Sequence, residues 1–121
     1  MLDKQTSNDR AGRGERAARI RALNDALRTT GIGGRVLVTQ GVMAMSVPQR
    51  SAIIRAITQF SDWNGDNDPY DEHDCAFVTV GSDVALFKID YYDLSLSAHS
   101  PDPADPLVTT RVLTIMLAEE Y

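Results

Sequence analysis

Residues 76 to 92 constrain the fold more than any other stretch of the chain. The run AFVTV is followed by a turn at Gly81 and Ser82 and then by VALFKIDYY. β-Branched and aromatic residues on both sides of a tight glycine turn are typical of a β-hairpin. An antiparallel sheet of this kind packs its apolar face on helices, so the rest of the chain is expected to supply them.

The region before the hairpin is predicted to form a helix, two strands and a second helix. Apolar residues recur at helical spacing from about residue 9, and Gly31 is suited to end the first helix because glycine adopts the left-handed conformation readily. The run RVLVTQGVMAMSV predicts short strands over 35–39 and 42–46. Ser46 and Gln49 can form a capping box, which begins a second helix.

The C-terminal region is predicted to end in a third helix. The loop AHSPDPADP has three prolines within six residues, which excludes regular structure there. Asp105 then fits an N-cap and Pro106 fits the first helical position, so the run LVTTRVLTIMLAEE is expected to be helical.

These elements predict one small α+β domain. Their order reads α-β-β-α-β-β-α, with a mostly antiparallel sheet packed on helices. A chain of 121 residues has the size of one domain. We expect a disordered tail over residues 1–8 and a single domain over 9–121.

Composition narrows the class of protein. The longest apolar runs are far shorter than the roughly 20 residues of a membrane span, and the N-terminus lacks the apolar region of a secretory signal. The single cysteine, Cys75, excludes an intramolecular disulfide and a zinc site built on several thiolates. These features predict a cytoplasmic protein without a membrane partner, in which Cys75 is a small buried hydrophobe rather than a nucleophile.

Charge is distributed unevenly along the chain. The formal net charge is −5, which argues against direct nucleic-acid binding because phosphate contacts need a basic surface. Residues 9–28 nevertheless carry six arginines and three acidic residues, whereas residues 61–74 carry six acidic residues and no lysine or arginine. We call residues 61–74 the acidic segment. The basic first helix could be a separate docking face or an internal partner of this segment.

The acidic segment begins like a calcium-binding loop. Oxygen-bearing side chains recur at every second residue from Asp62, as they do at the start of such loops. The template then fails, because Asn67 stands where a glycine is required and His73 stands where a glutamate closes the site. No cofactor is therefore predicted, and a divalent metal remains only an alternative.

Two further groups of polar residues could carry chemistry. Glu72, His73 and Asp74 have the ligand types of zinc, manganese or iron sites, although a local structural role for His73 is the favoured interpretation. The strand KIDYYD and the proline loop offer a possible polar site, which would join His73 only if the fold brought them together. That possible site comprises Asp90, Tyr92, Asp93 and His99.

The segments NDPYDEHD, FKIDYYD and SPDPADPLVTTRVLTIMLAEEY together resemble a family of small, functionally uncharacterised bacterial proteins. That family is known chiefly from alphaproteobacteria and often occurs on plasmids and other mobile elements. The likeness extends from about Gly31. Relative to the family pattern, Asp71 replaces a usual glycine, and Cys75 and Ala76 replace a usual Phe-Gly pair. The resemblance implies a compact cytoplasmic protein of accessory genes and no particular activity.

Two hypotheses follow for the function. The favoured one is a non-enzymatic interaction module that offers carboxylates to the basic groove of a host defence or nucleic-acid-handling complex. The alternative is a small enzyme or metal-dependent binding protein with a site on His73, Asp74 and Asp90. The oligomeric state stays open. The predicted interaction residues are Asp66, Asp68, Tyr70, Asp71, Glu72, His73 and Asp74.

Overall fold

The computed structural model describes residues 2–121, with side chains described from residue 12 onward. Met1 and the side chains of residues 2–11 lie outside this description, so the tail predicted over residues 1–8 stays a prediction. The elements are α1 (Leu2–Thr30), β1 (Arg35–Val38), α2 (Gln40–Met43), α3 (Val47–Thr58), β2 (Cys75–Val80), β3 (Asp83–Tyr92), β4 (Thr110–Leu117) and a final 3-10 turn (Ala118–Glu120).

The strands form one mixed sheet in the order β1-β4-β3-β2. β2 and β3 form the predicted hairpin, β3 pairs antiparallel with β4, and β1 pairs parallel with β4. The predicted fold class, a small α+β domain with a mostly antiparallel sheet on helices, is confirmed, although the order of elements differs. α3 begins as predicted, with the Ser46 and Gln49 capping box formed.

The predicted C-terminal helix is wrong, because this stretch forms the interior strand β4. Val112 is 6% exposed and Leu113 is 2% exposed, although their side chains lie on opposite faces of the sheet. β4 lies between two neighbouring strands and carries buried apolar residues on both faces, and a continuous apolar run of this kind also fits a broad helical stripe. Asp105 caps a turn instead, since its carboxylate accepts the Leu107 N–H at 2.9 Å.

The predicted strand over 42–46 is also wrong, because the chain turns into α2. The Thr39 N–H donates to the Ile115 carbonyl at 3.0 Å, so the neighbour of β1 is β4 rather than the next segment of chain. α2 buries Val42 in the core. A Cβ at Gly41 would lie 2.6 Å from the Glu120 carboxyl group, so glycine permits a close approach here.

Glu120 holds this turn, and its ionisation is expected to affect stability. Its carboxylate accepts the Thr39 hydroxyl at 2.6 Å and the Gly41 N–H at 3.0 Å. The hydrogen bond from Thr39, followed by backbone N–H donors, lowers the pKa of Glu120 below its ordinary 4.5. The ionised Glu120 carboxylate therefore stabilises the folded protein above pH 4.5. This stabilisation is lost as the pH falls through the lower pKa that Glu120 has in the folded state.

Glu120→Gln should accordingly unfold at lower urea concentration than the wild type at pH 7, and the difference should shrink on acidification to about pH 3. Glu119→Gln is the matched control, because this neighbouring carboxylate is equally exposed but accepts none of the hydrogen bonds that Glu120 accepts from Thr39, Gly41 and Leu117. Urea midpoints measured at both pH values check the prediction. The prediction would be contradicted if the urea midpoints of Glu120→Gln and the wild type differed by the same amount at both pH values.

One face of the sheet is covered by helices and forms the core. Residues on α1, α2 and α3 pack against this face, and Trp63 of the acidic segment packs against Phe87 of β3. The core residues are Leu27, Val42, Ile53, Ile57, Ala76, Val78, Ala85, Phe87, Ile89, Leu113 and Ile115. The register places Leu37, Phe77, Lys88, Asp90 and Thr114 on the other, open face. Within residues 2–121, no helix has both the length and the hydrophobicity of a membrane span.

Candidate functional site

The acidic segment packs against α1. Arg21 pairs with the Asp71 carboxylate at 2.6 Å and also donates to the Asp71 carbonyl at 2.8 Å. Asn24 and Asp25 follow at the i+3 and i+4 positions, on the same side of the helix, and also contact this segment. The basic first helix is therefore an internal partner of the acidic segment.

Asp68 fixes the backbone of the segment from inside. It is 6% exposed, and its Oδ1 accepts the N–H groups of Glu72 and His73, each at 3.1 Å. Asp71 and His73 have φ angles of 60° and 56°, in the left-handed region that favours glycine. These hydrogen bonds hold non-glycine residues in that conformation, so the loop has one defined shape.

His73 lies between two carboxylates. Its Nδ1 is 2.9 Å from Oδ1 of Asp25, and its Nε2 is 3.5 Å from Oδ2 of Asp68. The ring stacks on Trp63 with 4.1 Å between centroids and 6° between planes. The imidazole is therefore oriented by three side chains, and its side chain is only 15% exposed.

A buried hydrogen-bond network continues from Glu72 into the sheet. Asn24 donates to the Glu72 carbonyl at 2.9 Å and to the Tyr91 hydroxyl at 2.8 Å, and that hydroxyl donates to the Glu72 carboxylate at 2.8 Å. Arg111 donates to Oδ1 of Asn24 at 2.7 Å. Burial raises the pKa of Tyr91 and lowers the pKa of Arg111. Tyr91 is thus a neutral donor at pH 7.

The outer side of the acidic segment faces solvent beside the edge strand β2. Tyr70 is 75% exposed, and Asp62 and Asp66 are also exposed. A groove of about 480 Å³ runs between this side of the segment and β2. It is lined by Phe60, Asp62, Asp66, Asn67, Cys75, Ala76 and Phe77.

Cys75 and Asp74 lie at the start of β2 and are partly buried. Burial raises the pKa of the Cys75 thiol and of the Asp74 carboxyl above their ordinary values. The raised pKa favours the uncharged thiol, which is the less reactive form. Neither side chain forms part of the group around His73.

The residues of the possible polar site are not brought to His73. Asp90 pairs with Lys88 on the open face of the sheet, where Tyr92 also lies, whereas His73 contacts α1 on the other side. Asp93 caps a turn by accepting the Ser97 N–H at 3.0 Å. His99 forms a β-bridge with Tyr92. In the structure, His73 instead contacts Asp25 and Asp68, and Asp71 lies close by.

The grouping around His73 has the composition of a cation site. One ligand atom from each of Asp68, Asp71 and His73 lies within 4.8 Å of the others. The sequence analysis predicted His73 as a possible ligand, but it placed Asp68 and Asp71 only among the interaction residues and proposed Glu72, Asp74 and Asp90 as the other ligands. It missed Asp25, which orients His73. The sequence feature that could have indicated Asp25 is the helical spacing of Arg21, Asn24, Asp25 and Arg28 on one side of α1.

Comparison with known proteins identifies a family but no activity. A family model described as "Protein of unknown function (DUF3768)" matches residues 38–120. No curated protein and no solved structure matches the chain. α1 lies outside the matched range, although it supplies Asn24 and Asp25 to the site. The resemblance to an uncharacterised family is thus confirmed, whereas the family motifs, the alphaproteobacterial source and the context of mobile elements stay predictions.

Proposed function

The chain belongs to the DUF3768 family of proteins of unknown function, and we propose that its acidic segment makes it a non-enzymatic protein-interaction module. The supporting observation is that the buried Asp68 carboxylate holds the backbone N–H groups of Glu72 and His73 on the inner side of the segment. On the outer side, Asp66 and Tyr70 face solvent. A surface with a fixed shape loses little conformational entropy on binding, which favours recognition.

The groove beside the segment indicates the chemistry of the partner. Asp62 and Asp66 place two carboxylates along it, and Phe60 and Phe77 provide aromatic surface. A lysine or arginine side chain can lay its apolar stem on such rings and place its charge near the carboxylates. The outer edge of β2 has no strand neighbour in the sheet, so an extended basic segment could also pair with its backbone.

A second copy of the chain fits this groove less well than a basic partner. Pairing of β2 with its own copy would bring two sets of Asp62 and Asp66 together, and like charges in one interface disfavour binding. The net charge of −5 on each chain also disfavours the association of two copies. We therefore assign the groove to a partner with a basic surface.

The partner class that we propose is a host defence or nucleic-acid-handling complex. Such complexes have basic grooves for phosphates, and a rigid row of carboxylates can occupy one of them in place of nucleic acid. The inhibitor role rests on the mobile-element context that the sequence resemblance implies, and that context stays a prediction. Asp68, Asp71, Glu72 and His73 then act mainly by shaping the segment, whereas Asp62, Asp66 and Tyr70 contact the partner.

Site-specific photo-crosslinking in a host cell tests this proposal. A benzoylphenylalanine replacing Tyr70 should form a discrete adduct with one host protein, identified by mass spectrometry. The double variant Asp62→Asn, Asp66→Asn should reduce the adduct about tenfold, because two exposed charge pairs together contribute about 1.4 kcal/mol. Benzoylphenylalanine at Leu107, which is 80% exposed and lies in the proline loop, is the control for random contact.

The controls decide between specific and random capture. The double variant should keep the wild-type urea midpoint, because the Asp62 and Asp66 side chains are exposed. The proposal is wrong if positions 70 and 107 capture the same proteins, or if removing the two charges leaves the adduct unchanged.

A further inference from the structure

One oxygen of the Asp68 carboxylate accepts no hydrogen bond from the residues whose side chains the structure describes. Its Oδ1 accepts two backbone N–H groups. Its Oδ2 lies 3.5 Å from Nε2 of His73, which is longer than a usual N–H···O hydrogen bond. The Asp68 side chain is 2% exposed, so water reaches it poorly. A nearly buried carboxylate oxygen in this position needs a positive partner.

The imidazole of His73 is oriented as a ligand toward the same point. Its Nδ1 is 2.9 Å from one oxygen of Asp25 and 3.1 Å from the other. A proton on Nδ1 directed at Asp25 leaves the lone pair on Nε2, which faces Asp68. In proteins, a histidine that binds a metal ion through one ring nitrogen commonly donates the N–H of its other ring nitrogen to a carboxylate. Asp25 is placed to accept such a hydrogen bond from Nδ1 of His73.

Asp71 supplies a third ligand from the same loop. The three ligand atoms of Asp68, Asp71 and His73 lie within 4.8 Å of one another, whereas two bonds of about 2 Å allow a separation of at most about 4 Å. The exposed Asp71 side chain would therefore close onto the ion as it binds. Arg21 holds Oδ2 of Asp71 at 2.6 Å, which leaves its other oxygen for the ion. Arg28 also pairs with Asp25 at 3.0 Å, so three carboxylates, those of Asp25, Asp68 and Asp71, face two guanidinium groups and keep one net negative charge.

We propose that Asp68, Asp71 and His73 bind one divalent transition-metal ion, with Asp25 as the positioning residue behind His73. One imidazole and two carboxylates suit Zn²⁺, Mn²⁺ or Fe²⁺ better than Ca²⁺, which prefers oxygen ligands alone. The ion connects α1, through Asp25, to the loop that carries Tyr70. Metal binding therefore stabilises the proposed interaction surface, but the metal site does not depend on that surface having a partner.

The competing explanation contains no metal. An imidazolium at His73 could donate to Asp25 from Nδ1 and to Asp68 from Nε2. Both explanations place a positive group between the same carboxylates. They differ in whether added metal ion binds in one-to-one stoichiometry and displaces a proton.

Trp63 provides a direct test, since it is the only tryptophan and stacks on His73 at 4.1 Å. The full-length protein is stripped with a chelator and titrated with ZnCl₂ or MnCl₂ alone, following tryptophan emission and heat. We expect one-to-one saturation in both signals. Asp25→Asn should weaken binding roughly 10–100-fold, as outer-partner substitutions do. His99→Gln, the control for the other histidine, should leave binding unchanged.

Asp71→Gly is the decisive variant, because glycine accepts the φ of 60° at this position and removes only the carboxylate. It should fold as the wild type does and bind metal at least about tenfold more weakly. The proposal is overturned if neither metal saturates the wild type at one-to-one stoichiometry, or if Asp71→Gly binds as tightly as the wild type. Either result leaves the crosslinking test of the interaction surface unaffected.

Discussion

Arg28→Ala is expected to lower the free energy of unfolding by about 3 kcal/mol. The Arg28 side chain is 4% exposed and lies at the C-terminal end of α3. Its guanidinium donates to the carbonyls of Ile57 at 3.0 Å, Thr58 at 3.3 Å and Phe60 at 3.2 Å. These carbonyls belong to a helix end, where the helix itself supplies no donors. Alanine would leave the partly buried Thr58 and Phe60 carbonyls without this donor, whereas the Ile57 carbonyl still accepts the Phe60 N–H at 3.3 Å.

The charge and the flat shape of Arg28 both contribute to this expectation. The guanidinium lies 5.5 Å from the centre of the Trp63 ring and pairs with Asp25 at 3.0 Å. Arg28→Lys keeps the charge but loses the fork of donors, so it should recover only part of the lost stability.

Urea denaturation followed by Trp63 emission measures this effect. Arg55→Ala is the matched control, because Arg55 is an exposed arginine on α3, and it should change the free energy by less than about 0.5 kcal/mol. If Arg28→Ala were no more destabilising than Arg55→Ala, the role of Arg28 in ending α3 would be refuted.

Arg111→Ala is expected to destabilise the protein by about 4 kcal/mol. Arg111 is 1% exposed and lies on the helix-covered face of β4. It donates to Oδ1 of Asn24 at 2.7 Å and to the Pro103 carbonyl, and its guanidinium lies 5.0 Å from the centre of the Tyr91 ring. Its removal leaves the buried Asn24 Oδ1 and the partly buried Pro103 carbonyl without this donor. Since small domains have 5–15 kcal/mol of stability in total, the loss is a large fraction.

A double-mutant cycle with Asn24→Ala separates this network from general packing. The two side chains touch, so their effects should be non-additive by about 1–3 kcal/mol. Arg35→Ala provides the control, since Arg35 is an exposed arginine on the edge strand β1. Strictly additive effects of Asn24→Ala and Arg111→Ala would show that the hydrogen bond between them contributes nothing specific.

The fold was predictable where local chemistry decides it. The capping box at Ser46 and the hairpin around Gly81 depend on residues that are neighbours in the sequence, and both are confirmed. β4 was not predictable in this way. Its apolar run fits a buried helix as well as an interior strand, and the choice is made by pairing with β1 and β3, which are distant in the sequence.

The candidate site was predictable only in part for the same reason. The acidic segment stands out by composition, and His73 is conspicuous in it. The residues that contact this site are not conspicuous in the sequence. Asp25 and His73 are 48 residues apart in the chain, and Asn24 and Arg111 are 87 residues apart. The helical spacing of Arg21, Asn24, Asp25 and Arg28 marks one side of α1, but spacing alone does not show what that side faces.

The central claim is that α1 and the buried hydrogen bonds of Asp68 hold the acidic segment in one rigid shape. Backbone ¹⁵N relaxation of residues 68–73 tests it most directly, because order parameters report motion on the picosecond to nanosecond timescale. The structure predicts values of about 0.85, as in regular secondary structure, with the Glu72 and His73 amides among the most ordered. Values below about 0.6 across this stretch would contradict the account, since a mobile segment could neither display a fixed row of carboxylates nor hold His73 between Asp25 and Asp68.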